Sequence, residues 1–472
     1  MKNSLFVQWP SCFLSILLTL FCGNTVWGSG PEQTESSHNT LVAVSQPEEV
    51  KTAVGGKKAE KVEWWDQGYL TGDWGGERTW LANEGMSFNG SFCTDLLGNP
   101  TGGRHQAFEP ATSFSLEAIA DLEKLAEVPG ASFYASMIWR AGKNLSAEHI
   151  GNILTAAQLY GGPNVRLYSL YWKEVLLDEC LTFKIGRLGA FDDFLATPVH
   201  WNYVNNVFDG NPKGVFLDVG ALGSTVYPTS SWGFFMQGQS TEKDWYAQAG
   251  VYGLNSANGH NSTHGGNFTF NFDQGAGILG QGGYRLNMKP NEAELPGLYS
   301  MGFFINTDRY STYDVPSRSE FNNGGLYWML QQMVYREPGE ENLKRKPGAW
   351  GFDSQTGLTL WSSIVNTPSE NVNPFPLEVN GGLVYQGPFK ARPQDFAALG
   401  CGWISASDDM RTQQSTMGAP IQDFEMALEL NYRLNVTRFF YVQPVVQYIV
   451  CPNADGRLPD AVVLGAQIQV TF

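Results

Sequence analysis

The strongest constraint on the fold is the strict alternation of the last twelve residues, 461–472. Apolar side chains occupy every even position, whereas the odd positions end in the polar residues Gln467, Gln469 and Thr471. A period of two places one face of a strand against an apolar medium and the other against water. Because a terminal strand frays unless neighbours hold it, we expect pairing on both sides, as in a closed barrel.

The same alternation recurs along the chain and predicts about 16 strands, the size of a barrel with a water-filled lumen. The predicted segments are 87–97, 112–124, 131–141, 165–177, 181–188, 231–239, 245–253, 276–287, 298–308, 325–335, 356–366, 377–387, 395–405, 423–434, 439–450 and 461–472. Charged residues make up only 16% of the chain, and no apolar segment after the N-terminal leader is long enough for a spanning helix. We therefore predict an all-β fold, a transmembrane antiparallel β-barrel with a short N-terminal helix.

The region before the barrel divides into three parts. Residues 1–28 are typical of a signal peptide, because Lys2 precedes an apolar stretch and Val26-Trp27-Gly28 fits a cleavage site. Residues 29–62 are rich in Ser, Glu, Lys and Thr, which predicts a disordered periplasmic tether. Residues 63–85 contain the predicted helix, from about 74 to 84. Residues 86–472 form the predicted barrel of the bacterial outer membrane.

Capping residues bound this helix, and loop lengths suggest how the barrel is oriented. Asp73 is a good N-cap and Gly85 suits the residue that ends a helix.

Short connections at 128–130 and 435–437 suit periplasmic turns. Longer connections suit external loops or loops folded into the pore, and these are 142–164, 189–230, 254–275 and 337–354.

Composition excludes several classes of function. The net charge of −16 argues against a nucleic-acid partner. The sequence contains no P-loop, nucleophile elbow or dinucleotide-binding motif, so we predict no enzyme and no cofactor. The cysteines that follow the leader lack CxxC spacing, which predicts no metal site. Export permits disulfides between them, and the alternative is that they are small apolar strand residues: Cys93, Cys180, Cys401 and Cys451.

Several motifs resemble those of the carbohydrate-selective porins of the OprB family. They include Leu-Thr-Gly-Asp-Trp-Gly-Gly-Glu-Arg at 70–78, Lys-Ile-Gly-Arg-Leu at 184–188 and Glu-Leu-Asn-Tyr-Arg at 429–433. The likeness runs from about residue 64 to 472 and is weakest between about 255 and 355. The resemblance implies a 16-stranded outer-membrane barrel that passes carbohydrates by facilitated diffusion, as a homotrimer surrounded by outer-membrane lipid.

A sugar channel needs a narrow polar constriction whose donors and acceptors partly replace water around the hydroxyl groups. Arginine suits this role because its planar fork offers five donors. Strand parity predicts that Arg140 faces the lumen with Ser132, Tyr134 and Ser136, and that Arg166 shares a face with Glu174. We predict six substrate-binding residues: Arg78, Glu117, Asp121, Arg140, Arg166 and Arg187.

Three alternatives stand beside this prediction. Charged residues inside any wet barrel can simply pair across strands. The same barrel could be a general diffusion porin without sugar selectivity, which a test of current block by sugars distinguishes. A secreted all-β enzyme acting on polysaccharide is the alternative from another class, and it would be soluble without detergent.

Overall fold

The computed structural model describes residues 63–208, 220–289, 292, 294–314, 318–338 and 356–472. The predicted signal peptide (1–28) and tether (29–62) lie outside these residues. In the described part of the chain, sixteen strands form one closed barrel in which each strand pairs with its sequence neighbours and the last pairs with the first. All the pairs are antiparallel, so the predicted fold class is confirmed.

The strand bounds follow the alternation in the sequence closely. The strands are β1 (Met86–Thr101), β2 (Phe108–Asp121), β3 (Ala131–Gly142), β4 (Asn164–Leu176), β5 (Leu181–Leu188), β6 (Ser231–Gln239), β7 (Trp245–Gly253), β8 (Ala276–Leu286), β9 (Gly297–Ser311), β10 (Ser319–Arg336), β11 (Gly357–Asn366), β12 (Leu377–Gln386), β13 (Phe396–Ser405), β14 (Phe424–Asn435), β15 (Phe440–Val450) and β16 (Ala461–Thr471).

Within the residues that the structure describes, three short α-helices accompany the strands: α1 (Glu77–Asn83), α2 (Leu122–Ala126) and α3 (Asp408–Thr416). The predicted helix over 74–84 is a 3-10 turn at Trp74–Gly76 followed by α1. The Asp73 carboxylate accepts hydrogen bonds from the backbone N–H and hydroxyl of Thr79, at 2.9 and 2.8 Å. Gly85 follows with φ +98°, a conformation that favours glycine. No helix of the described residues has the length and apolar character needed to cross a membrane.

The seam between β1 and β16 closes the barrel. Ser91 pairs with Thr471 and the register continues to Gly98 opposite Leu464, and the Phe472 N–H donates to the Gly90 carbonyl at 2.8 Å. Outward side chains are apolar and exposed, as on β3, where Phe133, Met137 and Trp139 are about 40% exposed. Inward side chains on the same strand are polar and buried, as expected for a membrane barrel with a wet lumen.

The connections leave the barrel at two ends, here called the turn end and the loop end. The turn end carries the connection that contains 128–130 and the Val436–Phe439 turn, and the loop end carries those at 143–163, 189–230 and 254–275. The predicted long connection 337–354 lies outside the described residues from 339 onwards, and Arg336 and Gly357, which flank it, both lie at the turn end. The length of a connection does not show at which end it lies. Because successive strands are antiparallel, connections alternate between the two ends, and the position of a connection in that order gives its end.

The four cysteines in the described residues are free thiols. Cys93 is buried inside the barrel, whereas Cys401 is exposed on its outer face. Of the two readings left open by the sequence, the structure therefore has unpaired cysteines, two of them within strands.

Candidate functional site: a constriction built by two inward loops

Two loops of the loop end fold into the barrel and narrow its lumen. We call them L2 (143–163) and L3 (189–230, described at 189–208 and 220–230). Leu154 of L2 and Tyr203, Val204 and Phe208 of L3 are fully buried in a cluster with inward residues of the barrel wall such as Trp361. Burial of these apolar loop residues against the wall helps to hold the loops in the lumen.

Two glutamates on β14 bind the backbone of these loops. The Glu429 carboxylate accepts hydrogen bonds from the N–H groups of Val204 and Asn205 in L3, at 2.8 and 2.7 Å. The Glu425 carboxylate accepts from Ile153 and Leu154 in L2, at 2.9 and 2.6 Å. These hydrogen bonds attach both loops to β14.

Neighbouring amides and an arginine complete this attachment. Gln447 on β15 donates to the Ala156 carbonyl at 2.9 Å, and Gln443 donates to the Asn202 carbonyl at 2.9 Å. Arg433 on β14 donates to the Trp201 carbonyl at 2.7 Å. We call the inward face of β14 and β15 the filled wall, because its polar side chains are satisfied by the loops.

His200 lies at the centre of the L3 packing. Its ring meets the Trp361 ring edge-on, with centroids 5.3 Å apart, and it is 3% exposed. Burial lowers the pKa of the His200 imidazole from 6.5 to about 3, because the charged form loses its hydration. The ring is therefore neutral at physiological pH.

The inward face of β1–β4 is different, and we call it the open wall. Serine hydroxyls pair across its strands, Ser91 with Ser115 and Ser136 with Ser169, each at 2.7 Å. Tyr134 and Tyr171 stack with ring centroids 4.8 Å apart and planes 7° apart. This wall presents short hydroxyl groups and ring edges to the lumen, which suits the donors and acceptors of a polar solute.

Arg140 joins the open wall to both loops. Its guanidinium carbon lies 4.4 Å from the centroid of the Tyr227 ring of L3, and the Tyr227 hydroxyl lies 3.2 Å from that of Ser113. A Cβ at Gly161 of L2 would lie 1.5 Å from Arg140 Nη1, so a larger residue there would require the Arg140 guanidinium to move. Arg140 donates no hydrogen bond to another described residue, and its Nε lacks an acceptor.

Arg166 and Arg187 hold the connection after β7, here called L4 (254–275). Arg166 donates to the carbonyl groups of Asn258 and Gly259, both at 3.4 Å. Arg187 donates to the carbonyl of Asn267 in L4 and, at 2.5 Å, to that of Ser230 in L3. Both side chains are buried. Of these two, only Arg166 lines a small cleft with Arg140, together with Gly161 and Pro228.

The remaining predicted residues lie nearer the turn end. Glu117 is half-buried on the lumen face of β2, opposite Ser136 of β3. The Asp121 carboxylate caps α2 by accepting from the N–H groups of Glu123 and Lys124, at 3.1 and 3.3 Å. Arg78 lies on α1, 3.7 Å from the centroid of the Tyr69 ring. Arg187 lies on the outward face of β5, which it shares with the exposed Ile185, and is in register with Trp232 of β6. The prediction that Arg187 lines the sugar path is therefore not matched by its position, and the six predicted residues do not form one cluster.

A β-bulge in β4 changes the face on which Glu174 lies. Opposite Ser136 and Met137, β4 carries one extra residue, Tyr168, between Leu167 and Ser169. Glu174 consequently lies on the same face as Trp172, whose indole N–H donates to it at 3.1 Å, and not on the face of Arg166. The predicted pairing of Arg166 with Glu174 on one face was wrong, because strict parity fails across a bulge.

Sequence reasoning missed four residues that shape the constriction: Asp95, Tyr227, Glu425 and Glu429. Asp95 is fully buried on the inward face of β1 and accepts from Gln467 at 2.9 Å. The inward parity of Glu425 and Glu429 was visible in the alternation of 423–434. Nothing local indicates that the backbone of a loop more than 200 residues away binds them. Across the described chain, no group of three His, Cys, Asp or Glu residues is arranged to hold a metal ion.

Comparison with known proteins identifies a family with this architecture. Residues 105–472 match the family model described as carbohydrate-selective porin, OprB family. Porin B of Pseudomonas aeruginosa is 29% identical over 440 residues, covering 86% of this chain and 91% of that protein. The putative porin QuiX of Acinetobacter baylyi is 26% identical over 438 residues, covering 86% and 94%.

A solved structure agrees with this match. The high-pH structure of Pseudomonas putida OprB superposes with a TM-score of 0.78 at 26% identity, covering 87% of this chain and all of that one. The closed barrel, the match over most of the chain and this structural likeness all indicate an outer-membrane porin. The chain belongs to the OprB family of carbohydrate-selective porins and is a carbohydrate channel of the bacterial outer membrane.

Proposed function

We propose that the sugar passes between the open wall and the inward loops, and that Arg140 is the residue that binds it at the narrowest level. The observation that supports this role is the unused hydrogen-bonding capacity of its guanidinium. Arg140 is held by the Tyr227 ring and by packing and donates no hydrogen bond to a described residue. A planar fork with free donors can bind neighbouring hydroxyl groups in a bidentate manner.

The other predicted residues differ in how directly they act on the sugar in this proposal. Arg166 shares the cleft with Arg140 and contributes positive charge there, while its contacts with L4 keep the cleft in shape. Arg187 acts through the loops, since its donors are used on Ser230 and Asn267. Glu117 offers an acceptor nearer the turn end, whereas Asp121 maintains α2. Arg78 contributes to sugar binding at the turn end.

The turn end faces the periplasm in this proposal, because outer-membrane barrels have short periplasmic turns and long external loops. A sugar therefore enters at the loop end, meets the Arg140 level and leaves at the turn end. It passes chemically unchanged, since the channel needs only binding that is strong enough to admit the solute and weak enough to release it.

We also infer that the barrel works as a homotrimer, as its resemblance to the family implies. An aromatic cluster on the outer wall supports a contact between subunits. Trp232 lies 6.2 and 6.4 Å from the rings of Phe268 and Phe270, and Phe270 is 73% exposed. Native mass measurement in detergent tests the trimer, with Phe270→Ser as the variant and a monomeric mass for the unmodified protein as the contradicting result.

Current block in planar bilayers tests the proposed function. Glucose, other monosaccharides and oligosaccharides are added to single channels of the unmodified protein, Arg140→Ala and Arg166→Ala. Trp139→Ala is the matched control, because this neighbour of Arg140 is outward-facing and 40% exposed. We expect Arg140→Ala to raise the half-blocking sugar concentration about tenfold, the loss of one charge-assisted hydrogen bond, and Arg166→Ala to raise it less.

Two results contradict parts of the proposal. If no sugar reduces the current of the unmodified protein, the channel passes carbohydrate without a saturable site. If sugars do block it and Arg140→Ala retains native block by every sugar, the channel has a binding site that does not include Arg140.

A further inference from the structure

The segment that leads into the barrel places exposed aromatic side chains at the turn end. Trp65 is 62% exposed, Trp64 44% and Trp74 42%. We call Trp64, Trp65, Tyr69, Trp74 and Arg78 the mouth platform. Large exposed aromatic groups beside water have a cost in solvation, so a cluster of them usually marks a binding surface.

Contacts with inward-facing wall residues place this platform on the lumen side of the rim. The Tyr69 hydroxyl donates to Asn89 Oδ1 on the inward face of β1 at 3.4 Å. The Trp64 ring lies 4.9 Å from that of Phe439, which precedes β15 and is 4% exposed. Exposed tryptophans on the outer face of a barrel are accounted for by the lipid interface, but these two anchors hold the platform toward the pore.

Arg78 gives the platform a polar group with unused donors. Its guanidinium carbon lies 3.7 Å from the centroid of the Tyr69 ring and 4.5 Å from that of Trp74. The Arg78 Nε and Nη1 atoms are buried against the two rings and have no acceptor in the described residues. An aromatic ring with a neighbouring planar donor matches the two surfaces of a pyranose, an apolar face of C–H groups and a rim of hydroxyls.

We propose that the mouth platform is a second sugar-binding site, on which a neutral pyranose stacks before it leaves into the periplasm. This inference rests on the proposed function, because the solute at the site is the sugar that has passed the Arg140 level. Trp74, against which the Arg78 guanidinium lies, supplies the main stacking ring, and Arg78 donates to the hydroxyl groups. Trp65, beside Trp64, supplies a second ring along the same segment. The platform adds a weak binding site between the Arg140 level and the periplasm. The sugar therefore crosses the channel in two shorter steps.

Current block by glucose tests the platform, with the sugar on both sides of the bilayer. We expect Trp74→Ala to raise the half-blocking concentration about fivefold and Trp65→Ala about threefold, as the loss of one aromatic contact corresponds to several-fold in affinity. Trp139→Ala is the lipid-facing control and keeps native block. Trp65→Ala also covers the case in which Trp74→Ala does not fold, because the Trp65 ring contacts only that of Trp64 among the described aromatic pairs.

A second measurement distinguishes a lumen site from a lipid anchor. Lipids brominated near the headgroup quench tryptophans that lie in the membrane interface, and we expect Trp64→Phe and Trp65→Phe to leave that quenching unchanged. The platform is overturned if either substitution reduces the quenching by brominated lipid. It is also overturned if glucose blocks the unmodified channel and both alanine variants with equal strength. Absence of block in the unmodified channel instead contradicts the proposed function itself.

Discussion

The filled wall and the open wall carry similar polar residues on their inward faces, yet the two faces serve different purposes. On the filled wall, Glu429 receives two backbone N–H groups of L3. On the open wall, Glu117 remains half-buried beside the lumen. The difference lies in what covers each residue, because a carboxylate under a loop backbone becomes an attachment point and one beside the lumen remains available to solute.

This difference teaches that inward parity identifies a polar lining but not its use. A charged group enclosed by protein needs partners that replace its hydration, and the loop backbone provides them at Glu425 and Glu429. The guanidinium of Arg140 is also enclosed, yet its partners are a ring and a glycine that leave its donors free. Under the proposed function, the free donors of Arg140 therefore indicate the binding site better than inward parity does.

The largest expected effect comes from Glu429→Ala. The substitution removes both hydrogen bonds to L3, and we expect the attachment of the loop to lose about 1–3 kcal/mol, since each hydrogen bond contributes about 0.5–1.5 kcal/mol. L3 then moves away from the filled wall, so single-channel conductance rises and sugar block is lost.

Glu429→Gln is the matched control, because the amide keeps the shape and one acceptor oxygen. We expect its conductance to lie between that of the unmodified protein and that of Glu429→Ala. Native conductance in Glu429→Ala would show that apolar packing alone holds L3 and that the two walls do not differ in this way.

An intermediate effect is expected from acid acting on the filled wall. Because burial lowers the pKa of His200 from 6.5 to about 3, the packed state resists protonation that the released loop accepts. The stabilisation is complete above pH 6.5 and declines as the pH falls towards 3, by at most about 1.4 kcal/mol for each pH unit. We expect current noise from L3 to increase over this range.

His200→Phe removes the titrating group and keeps an aromatic ring against Trp361. The difference in noise between the unmodified protein and this variant should vanish above pH 6.5 and grow below it. Equal noise at pH 4 would mean that His200 does not control the attachment of L3.

The smallest effect is expected from Glu117→Gln on the open wall. Removal of one acidic group makes the lumen less negative, and we expect the cation-to-anion permeability ratio to fall by about twofold at low salt, where screening is weak. Reversal potentials under a salt gradient measure this ratio, and conductance should change little. A large change in conductance would assign Glu117 a structural role like that of Glu429.

The strands of the barrel could be predicted from the sequence far better than the loops inside it. The segment 423–434 became β14 (Phe424–Asn435) and 181–188 became β5 with identical bounds, because lipid and water impose alternation on each strand separately. The predicted strands 298–308 and 325–335 are longer in the structure, Gly297–Ser311 and Ser319–Arg336, since the pairing between them continues towards the loop end. That extension depends on the partner strand and not on local pattern.

The constriction could be predicted only in part for the same reason. Arg140 was identified by parity, and the structure places it between the open wall and both loops. The insertion of L2 and L3, the bulge at Tyr168 and the role of Glu429 depend on contacts between distant parts of the chain. Single-sequence alternation carries no information about such contacts.

The pairing of the first strand with the last has a consequence for assembly. Asp95 on β1 bonds to Gln467 on β16, 372 residues later, and the strands that hold L2 and L3 also come late in the chain. An unfinished sheet leaves a free edge ready to aggregate, and closing so long a span is slow. The closed barrel and the constriction made by L2 and L3 therefore form in the same step of assembly. A partly assembled barrel has neither a closed wall nor a constricted lumen.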